Sequence, residues 1–253
     1  MNVPPAPTLS ELQGLWRRSS IAWPDGRCDT ATQVYWLQGP SFYGDLRQPA
    51  ALPDFSHVRS LRDLSRQDCE RLAEQQGFAG HLTFDGRHFE WTRSIDFQPK
   101  ASLADAGSLR WQSGVLIEEG RDLPYVEHWH RDPAIAAQPA AAVLLRRRQV
   151  GTLGLVIRAG GFYILARDRA VQLAPCASLA ECVAAAPTLE DARALIDCEI
   201  SFARASSETI RITASTLPHR VGCHLSDALD ASWDILKSEG DPDALRRCLE
   251  DCQ

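Results

Sequence analysis

The sequence predicts an all-β protein built from two successive β-rich lobes, with short helices and a helical C-terminal tail. Short segments that alternate apolar and polar residues, closed by Gly, Pro and Asp turn formers, occur in two sets. The first set covers residues 15–130 and the second covers residues 143–218, with a run of alanines and prolines between them. Because the 253 residues exceed the usual size of one domain, about 100–150 residues, we expect two domains.

The first lobe is expected at residues 9–132. Strands are predicted where β-branched and aromatic residues cluster between turn formers. These predicted strands cover residues 15–21, 30–38, 41–46, 81–84, 88–97, 108–118 and 125–131. Asp85 and Gly86 form a hairpin signal between two of them. Ser65 and Asp68 have the spacing of a capping box, so we expect a short helix over residues 65–76.

The second lobe is expected at residues 142–253, after a linker rich in Ala and Pro over residues 132–142. Predicted strands begin at Val143 and continue over residues 150–157, 161–167, 199–204 and 209–215. Helices are predicted over residues 179–186 and 188–198, the second with Thr188 as its N-cap. Residues 225–238 and 243–252 are predicted to form the α-helical tail.

Composition excludes several classes of partner. The net charge of −6 disfavours nucleic acid and anionic membrane surfaces. The triplet of arginines at residues 146–148 is interpreted as a solvated strand face. The N-terminus lacks the features of a secretory signal, and apolar runs are too short to span a bilayer. We therefore expect a soluble, cytoplasmic protein whose eight cysteines are free thiols, mostly buried.

Four short motifs carry a resemblance to a known family. They are TQVYWLQ at residues 32–38, WQSG at residues 111–114, EEG at residues 118–120 and EHW at residues 127–129. Together they resemble a small, poorly characterised family known from a fungal casein-kinase-interacting protein. The resemblance covers mainly the first lobe. It implies two calycin-like (lipocalin-related) antiparallel barrels in tandem, and it assigns no catalytic residues.

Six tryptophans in the first lobe, at positions 16, 23, 36, 91, 111 and 129, suggest two uses. A barrel of eight strands is wide enough for a small ligand, and ligand pockets are rich in aromatic side chains. Alternatively the rings fill the barrel as core residues, which is the preferred interpretation for most of them. The candidate ligand-binding residues are Trp36, Trp91, Trp111, Glu118, Glu127 and Trp129.

The predicted strand over residues 125–131 contains the clearest chemical signal. His128 and His130 are two residues apart, so both project from one face of a strand and are candidate ligands for one metal ion. Glu127 and Trp129 project from the other face. A buried carboxylate needs a cationic partner. Glu127 and Trp129 are the residues of this strand that carry the family resemblance. We therefore predict that they face the barrel interior beside an arginine of a neighbouring strand, and that the histidines face outward.

These patterns favour a non-catalytic function. We expect the protein to bind a small apolar or aromatic ligand in the first lobe, or to interact with a protein partner. No cofactor, metal, nucleic acid or membrane is expected. The alternative is an enzyme, possibly metal-dependent, that uses the mouth of the first barrel with His128 and His130, and with Glu118 as an acid or base.

Overall fold

In the computed structural model, the described residues are 5–135, 139–173, 177–207, 209–229, 232–241 and Leu245. Most of their regular secondary structure lies in two antiparallel sheets. The first sheet uses strands between residues 14 and 131, and the second uses strands between residues 140 and 240. The predicted predominance of β-structure is therefore confirmed.

The first sheet contains nine strands. They are β1 (Gly14–Ala22), β2 (Cys28–Asp29), β3 (Gln33–Gln38), β4 (Phe42–Gln48), β5 (Gln76–Phe84), β6 (Phe89–Asp96), β7 (Ala106–Gln112), β8 (Val115–Gly120) and β9 (Val126–Arg131). Consecutive strands pair from β3 to β9, and β1 pairs with both β3 and β9. Eight strands thus close an antiparallel barrel, while β2 adds a short edge pairing to β1.

The second sheet contains six strands and remains open, so the prediction of a second barrel is wrong. Its strands are β10 (Ala140–Arg147), β11 (Leu153–Ala159), β12 (Phe162–Arg167), β13 (Glu199–Ala205), β14 (Ile210–Ser215) and β15 (Trp233–Gly240). Their order is β14-β13-β12-β11-β10-β15, and the outer strands do not pair with each other. The sheet needs no closure because apolar residues cover both of its faces.

One face of the second sheet packs on the outside of the barrel. Leu37 and Leu46 of the barrel share a core with Ile157 and Ile164 of the second sheet. The approach is close at Gly44 of β4, where an added Cβ would lie 2.5 Å from Cγ2 of Ile164. The two sheets therefore share one hydrophobic core.

The opposite face of the second sheet is covered by the chain that follows β14. Leu225, Leu229, Trp233 and Leu245 pack there against residues that include Val143. The residues predicted as helix over 225–238 form a 3₁₀ turn at Ser226–Ala228 and then β15. That part of the predicted helical tail is wrong, and residues 243–252 lie outside the described residues apart from Leu245.

The described residues also form four short helices: α1 (Leu9–Leu12), α2 (Arg66–Leu72), α3 (Leu179–Ala184) and α4 (Leu189–Ile196). The predicted capping box of Ser65 and Asp68 is present on α2, and Thr188 caps α4 through the backbone N–H of Asp191. Buried residues of α2, α3 and α4 belong to the core that the two sheets share.

Two local predictions need correction. The single strand predicted over residues 108–118 is a hairpin of β7 and β8, because Ser113 and Gly114 both adopt positive φ, 51° and 82°. The linker is shorter than predicted, since β10 begins at Ala140 and its first three alanines are buried.

Two further findings concern the cysteines and the length of the helices. Cys182 is disulfide-bonded, so the expectation that every cysteine is a free thiol is wrong. Cys28, Cys69, Cys198 and Cys223 are free, and Cys69 and Cys198 are buried. None of the described helices is both long and apolar enough to cross a bilayer.

Candidate functional site

Aromatic rings fill one end of the barrel. The Trp36 ring lies 5.5 Å from Trp16, 5.2 Å from Trp129 and 5.9 Å from Trp91 between ring centroids. The Trp16 indole N–H donates to the carbonyl oxygen of Leu12 at 2.7 Å. Leu12 is the buried last residue of α1, so this contact ties α1 to the rings. These tryptophans pack as core residues, which leaves little room for a ligand among them.

Trp111 is a partial exception, because it is only half-buried. Its ring lies 5.8 Å from Trp16 at the edge of the same cluster. Its strand, β7, ends in the hairpin turn one residue later. Trp111 therefore belongs to the border of the aromatic cluster.

Charged side chains occupy the other end of the barrel. The carboxylate of Glu127 lies 2.6 Å from Nη1 of Arg18 and 3.7 Å from Nη1 of Arg47. Arg18 also contacts Asp29 at 3.1 Å, and Arg47 contacts Asp45 at 2.8 Å. Glu127 is 2% exposed. The predicted inward orientation of Glu127 beside an arginine of a neighbouring strand is confirmed, since Arg18 lies on β1 and β1 pairs with β9.

Glu118 of β8 lies beside this network and has no cationic partner in direct contact. Its two carboxylate oxygens accept hydrogen bonds from the Tyr125 hydroxyl at 2.8 Å and the Trp129 indole N–H at 3.0 Å. Burial, and secondly the charge of Glu127, raise the pKa of Glu118 well above the usual value of a glutamate. Arg17 points out of the barrel and stacks over Tyr35 at 3.9 Å.

A second, half-buried charge cluster centres on Arg93 of β6. Its guanidinium contacts Asp96 at 3.1 Å and Asp105 at 2.7 Å, and lies 3.6 Å from the centroid of the Phe78 ring. Burial raises the pKa of Asp96 even though Arg93 opposes that shift. The Tyr43 hydroxyl, buried nearby, has no hydrogen-bond partner among the described residues. Polar groups therefore converge at this end of the barrel without all being satisfied.

A groove of about 1110 Å³ opens beside Arg93, between the charged end of the barrel and two loops of the second sheet. Tyr125, Asp105 and Trp91 line its barrel side. Its other walls come from residues 98–104, 150–152 and 168–173. The Tyr125 hydroxyl connects the groove to the buried Glu118 carboxylate. We take this groove, with the charged groups beneath it, as the candidate site.

The fold of this site occurs in a solved structure. No protein-family model and no curated protein matches the chain. The crystal structure of the uncharacterized protein YLR301w from Saccharomyces cerevisiae aligns with 89% of this chain and 98% of its own length. The alignment has a TM-score of 0.52 at 12% sequence identity. At that identity the similarity establishes a shared fold and says nothing about the groove.

The residues predicted as ligand-binding have different positions in this geometry. Only Trp91 lines the groove. Glu118 is one hydrogen bond removed from it, through Tyr125. Trp36, Trp129 and Glu127 lie inside the packed barrel. The sequence patterns did not indicate Asp105, Arg169 or the loop residues of the groove, although Leu103, an apolar residue within a polar segment, was a visible signal.

The histidine pair lies outside the barrel, as predicted. His128 and His130 are exposed, and Nε2 of His130 lies 2.9 Å from the Ser19 hydroxyl oxygen. His81 lies on β5, which does not pair with β9. Within the described part of the chain, no three His, Cys, Asp or Glu side chains are placed to share a metal ion.

Proposed function

We propose that the protein is a non-catalytic binding protein that holds a small, partly apolar ligand in the groove. One observation carries this proposal. Of the nine large apolar side chains that are exposed among the described residues, four line this one groove. They are Leu103, Leu123, Val150 and Val171, with exposures of 50%, 56%, 56% and 39%.

Such a concentration has a physical reading. Exposed apolar side chains scattered singly are ordinary, whereas a contiguous set in a concave surface indicates something that covers it. Full burial of one such side chain contributes roughly 1.5–3 kcal/mol. Ligand pockets typically measure roughly 300–1,000 Å³ and combine apolar walls with a few convergent polar groups. The groove, at about 1110 Å³, is slightly larger than that range, and Tyr125, Asp105 and Arg93 supply the polar groups.

We also propose that the barrel belongs to the calycin-like class that the four sequence motifs suggest. Its eight antiparallel strands, each paired with its sequence neighbours and closed by β1 and β9, support that assignment. Barrels of this size either fill their interior or hold one small ligand. Here the rings fill the interior, so the proposed ligand lies at the mouth.

This geometry favours binding over the two alternatives. An enzyme that used His128 and His130 would place its reacting groups on the exposed outer face of β9, and neither histidine lines the groove. A protein-interaction role would be supported by a flat apolar surface. The apolar side chains of the candidate site instead line a concave groove, which suits a small molecule better.

The test uses two matched leucine variants and a neutral fluorescent dye, N-phenyl-1-naphthylamine. Leu123→Asn changes a groove residue that is 56% exposed, and Leu236→Asn changes a leucine outside the groove that is 44% exposed. We expect the native protein and Leu236→Asn to bind the dye equally. Leu123→Asn should weaken binding about tenfold, because roughly 1.4 kcal/mol of apolar contact is lost. Absence of dye binding, or equal affinities in both variants, would contradict the proposal.

A further inference from the structure

We propose that the ligand of the groove carries a carboxylate group and that the guanidinium of Arg169 binds it. This inference rests on the proposed function and specifies the chemistry of its ligand. Arg169 lies just after β12, lines the groove and is 6% exposed. It is therefore a buried cation in the wall of a binding groove.

Two nitrogens of Arg169 lack acceptors. Its Nη2 donates to the backbone carbonyls of Asp96 and Phe97. Its Nε and Nη1 are buried and have no hydrogen-bond partner among the described residues. The Nε of Arg93 is also buried without a hydrogen-bond partner among the described residues. An unpaired buried N–H of a charged group is costly, so an acceptor at this position is favoured.

Neighbouring carboxylates do not supply that acceptor. The Asp96 carboxylate is held by Arg93 at 3.1 Å and by the backbone N–H of Gln98 at 3.0 Å. The Asp168 carboxylate accepts the backbone N–H of Arg169 at 2.8 Å. The adjacent thiol of Cys198 stays neutral, because burial raises its pKa to about 12. Neither carboxylate accepts a hydrogen bond from the Nε or Nη1 of Arg169, and a neutral thiol is only a weak acceptor.

The carboxylates of the groove lining outnumber its cations by one, so an anion is favoured only locally, at Arg169. The described lining residues of the groove include three cations and four carboxylates, namely Arg93, Lys100, Arg169, Glu90, Asp96, Asp105 and Asp168. Asp96 and Asp105 both pair with Arg93, and Glu90 lies 3.9 Å from Arg121 outside the groove. The charged lining residues that remain are Lys100, Arg169 and Asp168. Burial raises the pKa of Asp168. A guanidinium and a carboxylate form charge-assisted hydrogen bonds, which are stronger than bonds to a neutral oxygen.

The apolar walls define the rest of the ligand. Leu103, Leu123, Val150 and Val171 suit a hydrocarbon or ring that extends from the carboxylate. Because protein atoms cover the free nitrogens of Arg169, a carboxylate must displace some of them to reach the guanidinium. We therefore expect a preference of about tenfold for a carboxylate over a neutral headgroup of the same length, less than an open guanidinium would give.

The experiment compares decanoate with 1-decanol, whose chains match and whose charges differ. Affinities are measured calorimetrically for the native protein, Arg169→Met and Arg87→Met. Arg87 is exposed and outside the groove, so its variant controls for loss of a positive charge. The native protein and Arg87→Met should prefer decanoate about tenfold. Arg169→Met should lose that preference and still bind decanol, which also demonstrates that it is folded.

Other outcomes separate the two proposals. Equal binding of decanoate and decanol by the native protein would overturn the role of Arg169 and leave the binding function standing. Failure of both compounds to bind would overturn the proposed function itself. If Arg169→Met does not fold, a crystal structure of the native protein with decanoate decides. The carboxylate should lie within hydrogen-bonding distance of Arg169, and a carboxylate elsewhere would contradict the inference.

Discussion

The buried ion pair of Arg18 and Glu127 gives the sharpest stability prediction. These residues are 109 positions apart in sequence and lie 2.6 Å apart where β1 and β9 close the barrel. Their side chains are 5% and 2% exposed. We consider the change Glu127→Ala, which removes the carboxylate and leaves the guanidinium of Arg18 in place.

The size of the stability loss depends on the ion pair that Arg18 keeps in the variant. Breaking a buried ion pair by removing one partner costs about 3–5 kcal/mol, because an uncompensated charge stays buried. Arg18 keeps Asp29 at 3.1 Å, and Asp29 is 30% exposed, so part of the compensation survives. We therefore expect a loss of about 3 kcal/mol, the lower end of that range. Glu127→Gln, which keeps the side-chain volume and an acceptor oxygen, should cost less.

Urea denaturation monitored by tryptophan fluorescence measures this loss. With an m value of about 3 kcal/mol/M, a loss of about 3 kcal/mol shifts the midpoint by about 1 M urea. The control is Asp25→Ala. It breaks a bridge to Arg27 of the same 2.6 Å length, but the two side chains are 53% and 71% exposed. Equal midpoints for the two variants would refute the reasoning, since burial would then have no effect.

Three further predictions concern pH, packing and thiol chemistry. Because the pKa of Glu118 is raised in the folded state, the folded protein binds its proton more tightly than the unfolded chain does. The contribution of Glu118 to stability should therefore fall as pH rises above about 4.5, and the difference in urea midpoint between the native protein and Glu118→Gln should change with pH accordingly. Gly44→Val should lower the free energy of unfolding by about 1–3 kcal/mol in urea melts, because the new side chain would meet a methyl group of the second sheet. Gly161→Val has nothing within 4 Å of its Cβ and should lower it clearly less. Equal losses would disprove the shared core. A maleimide reagent should label exposed Cys28 in the native protein and leave Cys198 unlabelled until urea unfolds the chain, as peptide mass spectrometry would report; native labelling of Cys198 would contradict its burial.

Local patterns predicted much of the barrel. The strand β9 is the clearest case, because alternation separated Glu127 and Trp129 from His128 and His130, and the family-like residues indicated which pair faces inward. Period-two alternation is written in the sequence itself, so it needs no knowledge of neighbouring strands. The hairpin turn at Ser113 and Gly114 was also readable in principle. It was missed because the predicted strand was extended through a turn-forming pair.

Pairing between distant parts of the chain limited what the sequence could predict of the second sheet. Residues 233–240 form β15 because the edge of β10 offers unpaired backbone groups, and this pairing overrides the helical pattern of the local sequence. The openness of the second sheet also depends on distant residues, since the barrel covers one face and Leu225, Leu229 and Trp233 cover the other. Local sequence patterns do not indicate which distant residues will cover a sheet face.

The groove was the least predictable feature. Its walls come from separate parts of the chain, around residues 91–106, 123–125, 150–152 and 168–173. Exposure of an apolar side chain such as Leu123 depends on what the fold leaves uncovered. Arg169 could be identified only from the acceptors that its neighbours fail to supply. A sequence pattern can suggest a barrel with a ligand, but the position of the ligand follows from packing.

Native mass spectrometry of the chain purified from its own host tests the central claim most directly. We predict that part of the native protein carries a small molecule, that the released compound contains a carboxylate, and that Leu123→Asn purified in parallel has lost it. Bare chain in both preparations, with no adduct after decanoate is added, would contradict the account.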